Sequence, residues 1–113
     1  AMSAAKYHLD NLCAIVDVNG LQIDGPVEKV MGLGNLKGKF LDYGFKVVEA
    51  DGHDFAALDA AIAVRKNGVP VCILAKTVKG KGVSFMENQA GWHGQKVSGE
   101  DYKNAMEELK GGR

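Results

Sequence analysis

The chain has 113 residues with 14 basic and 14 acidic side chains, and 46% of its residues are apolar. This length predicts one domain, 1–113, and the composition is typical of a globular protein. The balanced charge offers no electrostatic footprint for nucleic acid or an anionic membrane, and no apolar run is long enough to span a bilayer. We therefore expect neither a nucleic-acid partner nor a membrane partner.

The two cysteines of the chain both lie in apolar, strand-like runs. Cys13 and Cys72 form no CxxC or Cys/His spacing that would indicate a zinc site. Buried thiols of this kind are usual in reduced core positions. The cysteines therefore predict two free core thiols and a cytoplasmic location.

The first predicted elements are a helix and a strand. Ala1–Leu9 is rich in helix-forming residues but has no N-terminal cap, so it is typical of the end of a helix, which we expect to stop at Asp10 and Asn11. Leu12–Val16 contains apolar residues only. Such a run predicts a strand that is buried on both faces.

A second helix and a second strand are expected next. Apolar residues recur at helical spacing through the range Leu36–Tyr43, and Gly44 gives the stop signal. Phe45–Ala50 then predicts the second strand, because it is mainly apolar and is bounded by Gly44 and the Asp51-Gly52 turn dipeptide.

The third helix has clear boundary signals. Asp54 predicts its N-cap, Gly68 its end, and Pro70 lies just beyond. The predicted buried stripe consists of Phe55, Leu58 and Ile62. Val71–Ala75 follows as a third buried strand.

The last part of the chain predicts a long loop and a final helix. Lys76–Val97 is rich in Gly and Lys, and loops of this length in compact domains are often functional. Ser98 and Asp101 have the spacing of a capping box. The apolar face of the helix that follows would consist of Tyr102, Ala105, Met106 and Leu109.

The alternation of strands and helices predicts an α/β fold. We expect a mostly parallel three-stranded sheet flanked by helices. Three strands are few for continuous apolar runs that need cover on both faces. The sequence therefore predicts an incomplete piece of a doubly wound fold.

The segment after the first strand holds a candidate metal ligand. Asn19 and Gly20 follow Asp17 at the predicted carboxyl end of that strand, where ligands bind in open α/β sheets. An amide oxygen and nearby carbonyls are hard donors that suit Mg²⁺ or Ca²⁺. The alternative is an ordinary turn, because Asn-Gly is a common turn dipeptide.

The long loop holds two further candidates. Its Lys-rich and Gly-rich beginning, Lys76–Gly82, suits an anionic ligand but has no Walker A spacing, and a solvated basic loop is the alternative. His93, between Trp92 and Gly94, has a side chain able to donate to a phosphate or move a proton near neutral pH. A purely structural role is the alternative for His93.

Five segments taken together resemble transketolase. The resemblance runs from the first residue to about Leu109 and covers the C-terminal part of the thiamine diphosphate-binding, or pyrophosphate, domain, or of the N-terminal subunit of a split transketolase. Their order and spacing are specific, although each is weak alone. The segments are Leu9–Leu12, Val16–Gly25, Asp51–Asp54, Ala75–Gly82 and Trp92–Gly94.

The resemblance implies roles for four residues. Asn19 matches the family's asparagine ligand to Mg²⁺, and Leu21 matches the residue whose backbone carbonyl also binds the metal. Lys79 and His93 match residues that contact thiamine diphosphate. The position of His93 also faces the substrate, which implies a catalytic role. The implied cofactors are thus thiamine diphosphate and Mg²⁺, with Ca²⁺ as a substitute.

The 113 residues also depart from the family pattern. The Gly-Asp-Gly half of the metal motif and the cofactor-activating glutamate are not among them. We expect part of an enzyme that transfers a two-carbon ketol unit between sugar phosphates, inactive as an isolated chain. The expected partners are sugar phosphate substrates, a missing N-terminal segment, C-terminal domains or a further subunit, and other copies in a homo-oligomer.

Two alternative functions remain open at this point. The chain would be a non-catalytic module if it self-associates through the sheet face that its missing part would cover. It would be a generic phosphate-ligand domain if it binds simple nucleotides, although it has no Gly-x-Gly-x-x-Gly fingerprint.

Overall fold

The computed structural model describes residues 1–65 and 67–111, which form two compact units. Unit 1 comprises Ala1–Val18 and Leu33–Thr77, and unit 2 comprises Asn19–Gly32 and the described residues from Val78 onward. In chain order the elements are α1 (Met2–Lys6), β1 (Cys13–Val18), β2 (Leu21–Gln22), β3 (Gly25–Pro26), α2 (Val27–Val30), α3 (Leu36–Asp42), β4 (Lys46–Asp51), α4 (Phe55–Ala63), β5 (Val71–Lys76), a 3₁₀ turn (Ala90–His93) and α5 (Gly99–Gly111). Within these ranges no helix combines the length and apolarity needed to cross a bilayer.

Unit 1 contains the predicted parallel sheet. Its strand order is β1-β5-β4, and both neighbours of β5 run parallel to it, which confirms the predicted α/β fold class. Ile73 at the middle of β5 pairs with Ile15 on one side and Val48 on the other. The five apolar residues of Val71–Ala75 are all buried, as expected of a strand with partners along both edges.

Alternate residues of β5 build two cores, one on each face of the sheet. Cys72 and Leu74 pack with Ala4 and Phe45, whereas Val71 and Ile73 pack with Ala61. This separation follows from the two-residue period of a strand. The sheet is therefore held between two small apolar clusters.

The two thiols are free, as predicted, and they lie on opposite faces of the sheet. Cys13 packs against the cluster of Val71 and Ile73, whereas Cys72 belongs to the other cluster. Burial raises the pKa of the Cys72 thiol, and the nearby Cys13 thiol raises it further. Cys72 is thus held in its neutral, weakly nucleophilic form.

Two predicted boundaries near the N-terminus were wrong. α1 ends at Lys6 rather than at Asp10, because the chain turns at His8, where φ is +54°. Long-range bonds hold this turn: Gly68 N–H donates to the Asp10 carboxylate at 3.0 Å, and the Gly68 carbonyl lies 3.1 Å from His8 Nδ1. β1 continues to Val18 rather than ending at Val16, because β5 extends far enough to pair with its last residues. The predicted burial of this strand on both faces was also wrong: β1 lies at the edge of the sheet formed by the described strands, and Ile15 is 59% exposed.

The predicted buried stripe of α4 was wrong at two of its three residues, whereas Leu58 is half-buried. Phe55 is 89% exposed and Ile62 is 44% exposed, whereas Ala61 is only 3% exposed. The helix therefore turns a small side chain toward the sheet, which permits close approach to β4 and β5. It ends at Ala63, before the expected stop at Gly68. The Arg65 guanidinium donates to the carbonyls of Ile62, in the last turn, and of Val64, directly after the helix.

The predicted helix caps are confirmed. Asp54 accepts a hydrogen bond from Ala56 N–H at 2.9 Å at the start of α4. At the start of α5, Ser98 N–H donates to the Asp101 carboxylate at 3.0 Å, and Asp101 N–H donates to Ser98 Oγ at 3.1 Å. This reciprocal pair is the capping box that the sequence predicted.

Gly52 lies where the ends of β4 and β5 approach closely. A Cβ on Gly52 would lie 2.4 Å from Thr77 Cγ2 and 2.9 Å from the Lys76 carbonyl oxygen. We predict that Gly52→Ala lowers the free energy of unfolding by about 1–3 kcal/mol, the usual cost of overpacking. Urea denaturation measures this change. Gly99→Ala is the control, since a Cβ there meets nothing within 4 Å, and equal losses in both variants would contradict the explanation.

The capping box of α5 predicts a dependence on pH. Hydrogen bonds from Ser98 hold the pKa of Asp101 below its ordinary value, because they favour the carboxylate. The stabilisation is therefore present above the ordinary aspartate pKa and is lost as the pH falls through the lower pKa of the folded state. We predict that α5 loses helicity over this acidic range. Asp101→Asn should remove the part of this loss that comes from protonation of Asp101.

Far-ultraviolet circular dichroism as a function of pH measures that loss. Glu100→Gln is the matched control, because Glu100 is exposed in the same first turn of α5. Glu108 on the same helix also has a lowered pKa, so it contributes to the acid transition of every variant. The quantity to compare is therefore the difference in acid transition between each variant and the parent. Identical acid transitions for Asp101→Asn and Glu100→Gln would refute the assignment.

Candidate functional site

All four candidate site residues lie in unit 2. Asn19 and Leu21 come from its first segment, whereas Lys79 and His93 come from its second. Asn19, Leu21 and Lys79 are half-buried, and His93 is exposed. Folding therefore brings into one unit two segments that are separated in the sequence by Leu33–Thr77 of unit 1.

Asn19 forms the turn that the sequence predicted. Its Oδ1 accepts a hydrogen bond from Leu21 N–H at 2.9 Å, and Gly20 between them has a φ of +73° that favours glycine. This is an Asx turn, in which the side chain is held over the backbone. An amide oxygen has two lone pairs, so Asn19 Oδ1 keeps acceptor capacity for a cation.

The hairpin of β2 and β3 orients the Leu21 carbonyl. Leu21 pairs with Pro26, which has no N–H to donate. The adjacent residues Gly20 and Val27 are joined by a hydrogen bond from Val27 N–H to the Gly20 carbonyl at 2.9 Å. In an antiparallel ladder the residues between bonded pairs direct both backbone groups away from the partner strand. The Leu21 carbonyl therefore points to the side of β2 on which Leu21 N–H meets Asn19 Oδ1.

The turn that carries His93 lies beside this hairpin. The 3₁₀ turn packs against both β2 and β3. Trp92 anchors it, because the indole N–H donates to the Phe85 carbonyl at 3.0 Å and the two rings meet edge-on at 5.5 Å. His93 thus sits at the exposed end of a fixed turn, next to the strand that contains Leu21.

Lys79 begins a closed loop. Asn88 N–H donates to the Lys79 carbonyl at 2.9 Å, and Asn88 has a φ of +56°. Within the loop the chain passes very close to Gly80, where φ is +73° and a Cβ would lie 2.6 Å from the Met86 carbonyl oxygen. The predicted long loop is therefore a series of hydrogen-bonded turns in this region.

Sequence reasoning missed the residues that fasten this loop to α5. Ser84 Oγ donates to the Glu108 carboxylate at 2.8 Å, and Ser84 N–H donates to its other oxygen. These bonds hold the pKa of Glu108 below its ordinary value, with the backbone bond as the larger cause. The residues lie 24 positions apart, so no local pattern indicates the contact.

A second missed contact lies at the carboxyl edge of the sheet in unit 1. Thr77 Oγ1 donates to the Asp17 carboxylate, and Thr77 N–H donates to the Val18 carbonyl at 3.2 Å. Val18 and Thr77 are the last residues of unit 1 before each passage of the chain into unit 2. The contact therefore joins the two exit points of the chain.

The described residues offer only part of a metal site. They contain no cluster of three or more His, Cys, Asp or Glu side chains with metal-binding geometry. The Asn19 amide oxygen and the Leu21 carbonyl are two hard oxygen donors on the same side of one strand. This donor set fits Mg²⁺ in kind and leaves most of its coordination to other groups.

An open cavity of about 250 Å³ in unit 1 is not part of this site. It is lined by Asp10, Asn11, Arg65 and Asn67, which precede β1 and β5. It therefore lies near the amino ends of these strands, whereas ligands of open α/β sheets bind at the carboxyl ends.

Comparisons with known proteins point to one family. Residues 1–111 match the family described as transketolase, thiamine diphosphate binding domain. The chain is 37% identical over 111 residues to one of the subunits of the apulose-4-phosphate transketolase of Actinobacillus succinogenes, covering 97% of this chain and 40% of that protein. It is 38% identical over 112 residues to 6-deoxy-6-sulfo-D-fructose transketolase subunit SqwG of Clostridium sp., covering 97% of this chain and 41% of that protein.

Solved structures agree with the sequence comparison. The crystal structure of transketolase from Campylobacter jejuni matches with a TM-score of 0.82 and 32% identity, over 96% of this chain and 17% of that chain. The chain thus spans about two fifths of the two subunit-type relatives and a smaller share of this transketolase.

The close approach at Gly80 predicts a sensitive point of the Lys79 loop. We expect Gly80→Ala to open the loop, because the added Cβ would collide with Met86 and the positive φ disfavours alanine. Amide hydrogen exchange at Asn88, whose N–H closes the loop, should accelerate. Gly94→Ala is the control, since a Cβ there meets nothing within 4 Å. Unchanged protection of Asn88 in Gly80→Ala would show that the prediction is wrong.

Proposed function

The chain belongs to the family of transketolase thiamine diphosphate-binding domains, and we propose that it supplies the metal and diphosphate contacts of a transketolase cofactor site. We further propose that residues 1–113 act as one partial cofactor-binding domain. The observation that carries the proposal is the hairpin of Asn19 and Leu21 packed beside the turn of His93. In the complete protein the reaction would be transfer of a two-carbon ketol unit from a ketose phosphate to an aldose phosphate.

Asn19 and Leu21 are the proposed metal ligands. The Asn19 Oδ1 atom and the Leu21 backbone carbonyl would bind Mg²⁺, and Ca²⁺ as a substitute, since both ions prefer oxygen ligands. The Asx turn supports this role, because it fixes the amide oxygen on the side toward which the Leu21 carbonyl points. The remaining ligands would come from the diphosphate, water and sequence outside these residues.

Lys79 and His93 are the proposed contacts to the cofactor and substrate. Thiamine diphosphate, when bound, supplies the means to stabilise a carbanion on the substrate. The Lys79 ammonium would neutralise diphosphate charge. The His93 imidazole, exposed at the end of its turn, would hold or move a proton at the reacting end of the substrate.

Catalysis would need sequence beyond these 113 residues. The two subunit-type relatives are more than twice as long, and these 113 residues do not contain the Gly-Asp-Gly motif. We therefore propose partners in the form of a preceding segment, C-terminal domains or a second subunit, and further copies in a homo-oligomer, working in the cytoplasm. The isolated chain would have no turnover and would bind cofactor weakly.

Exposed apolar residues of unit 1 favour a second candidate function. Ile15 on β1 is 59% exposed and Phe55 is 89% exposed. Among the described strands β1 pairs only with β5, so one of its edges is unpaired. We propose that the isolated chain is a non-catalytic module that binds a second copy of itself through the uncovered face and edge of the sheet at β1. Light scattering would detect the dimer, Ile15→Lys should reduce it, and a monomer at all concentrations would exclude it.

The cofactor role predicts a specific loss for Lys79→Met. In the complete protein we expect thiamine diphosphate with Mg²⁺ to bind roughly 10- to 100-fold more weakly, because a charged hydrogen bond to the diphosphate is lost. Calorimetric titration measures this affinity. Lys103→Met is the matched control, since Lys103 is an exposed lysine of α5 in the same unit. Equal affinities for the two variants would remove Lys79 from the site.

Variants of Asn19 and His93 should show metal binding and catalysis as separate effects. Asn19→Ala should raise the Mg²⁺ concentration needed for cofactor binding, whereas Asn19→Asp keeps an oxygen ligand and should retain binding. His93→Ala should leave the metal requirement unchanged and lower kcat for ketol transfer. A normal metal requirement in Asn19→Ala or a normal kcat in His93→Ala would contradict the proposed role of that residue.

A further inference from the structure

A continuous set of contacts links α5 to the turn that carries His93. It begins at Glu108, whose carboxylate accepts hydrogen bonds from both the hydroxyl and the backbone N–H of Ser84. A serine held at both groups has little freedom to move relative to its partner. The Ser84 peptide is therefore fixed to α5 at this point.

The next contact passes from this peptide to Trp92. Ser84 precedes Phe85, whose carbonyl accepts the Trp92 indole N–H at 3.0 Å. The Phe85 and Trp92 rings also meet edge-on, with centroids 5.5 Å apart. Trp92 directly precedes His93 in the 3₁₀ turn, so the place of Phe85 constrains the place of His93.

Close packing supports the same arrangement. A Cβ on Gly82 would lie 3.1 Å from Leu109 Cδ2, so the loop backbone passes very close to α5. Val83, between Gly82 and Ser84, is buried. The lowered pKa of Glu108 agrees with this geometry, because it keeps the carboxylate in its ionised, accepting form. The contact is thus a packed attachment as well as a pair of hydrogen bonds.

We propose that Glu108 is a positioning residue that sets the place of His93 through Ser84, Phe85 and Trp92. α5 would then hold the His93 turn in place for the reaction of the bound substrate. The catalytic part of this inference rests on the proposed function. The contact itself is a property of unit 2 that can be tested without cofactor.

The first test uses the fluorescence of Trp92, the only tryptophan of the chain. Glu108→Ala should shift its emission to the red and increase its quenching by acrylamide, because Phe85 is released. Glu107→Ala, which removes the neighbouring exposed carboxylate of α5, should leave both unchanged. Glu108→Gln keeps one acceptor oxygen and should fall between the parent and Glu108→Ala. Parent-like fluorescence in Glu108→Ala would overturn the proposal.

A second variant keeps the test decisive if Glu108→Ala does not fold, which circular dichroism would show. Ser84→Ala removes only the hydroxyl donor and should produce a smaller change of the same kind. In the double variant Ser84→Ala/Glu108→Gln the effects should not add, since both substitutions act on one contact. Simple additivity would indicate two unrelated effects and would overturn the proposal.

The catalytic part is tested in the complete protein. Glu108→Ala should lower kcat about tenfold, as expected when a partner that orients a site residue is lost. The Mg²⁺ requirement should stay unchanged, because Asn19 and Leu21 lie outside the contact series. Glu108→Gln should restore part of kcat. A normal kcat in Glu108→Ala beside a low kcat in His93→Ala would overturn this inference alone, whereas normal values in both would overturn the proposed role of His93 as well.

Discussion

Burial of β5 is the constraint on which the sheet of this protein depends. Each residue of Val71–Ala75 is buried, and alternate side chains belong to two separate apolar clusters. The same strand provides every interstrand pairing of the three-stranded sheet. Because the strand cannot shift without exposing one cluster or the other, its carboxyl end is fixed. Thr77 directly follows that end and donates a hydrogen bond to the Asp17 carboxylate near the end of β1.

Backbone atoms provide several of the contacts that define the candidate site. The Leu21 carbonyl is a proposed metal ligand, and the Phe85 carbonyl holds the indole of Trp92. Backbone groups are aimed by turns rather than by side-chain rotamers. The positive φ of Gly20 and the close approach at Gly80 are therefore as relevant to the site as the residues with chemical side chains.

The two units of the chain differ in structure and in the residues that they contribute to the candidate site. Unit 1 contains the sheet and both apolar clusters, whereas unit 2 contains all four candidate site residues. Unit 2 has only two-residue strands and short helical turns before α5, so its order depends on capped turns and hydrogen bonds such as that between Ser84 and Glu108. Such a site gains precision from additional anchoring, which the longer transketolases have more sequence to supply.

The local features of this protein were predictable from its sequence. Apolar runs predicted the positions of the three strands, although only β5 is fully buried. Asp54 and the Ser98–Asp101 pair predicted helix starts, and Asn19 with Gly20 predicted a turn, because strands, caps and turns leave short-range signals. Long-range packing, in contrast, determines that Ala61 rather than Phe55 faces the sheet and that Asp17 accepts a hydrogen bond from Thr77. The residues of that pair lie 60 positions apart, so only the register of β1 on β5 brings them together. A contact between such distant residues depends on the packing of whole elements, which no local pattern encodes.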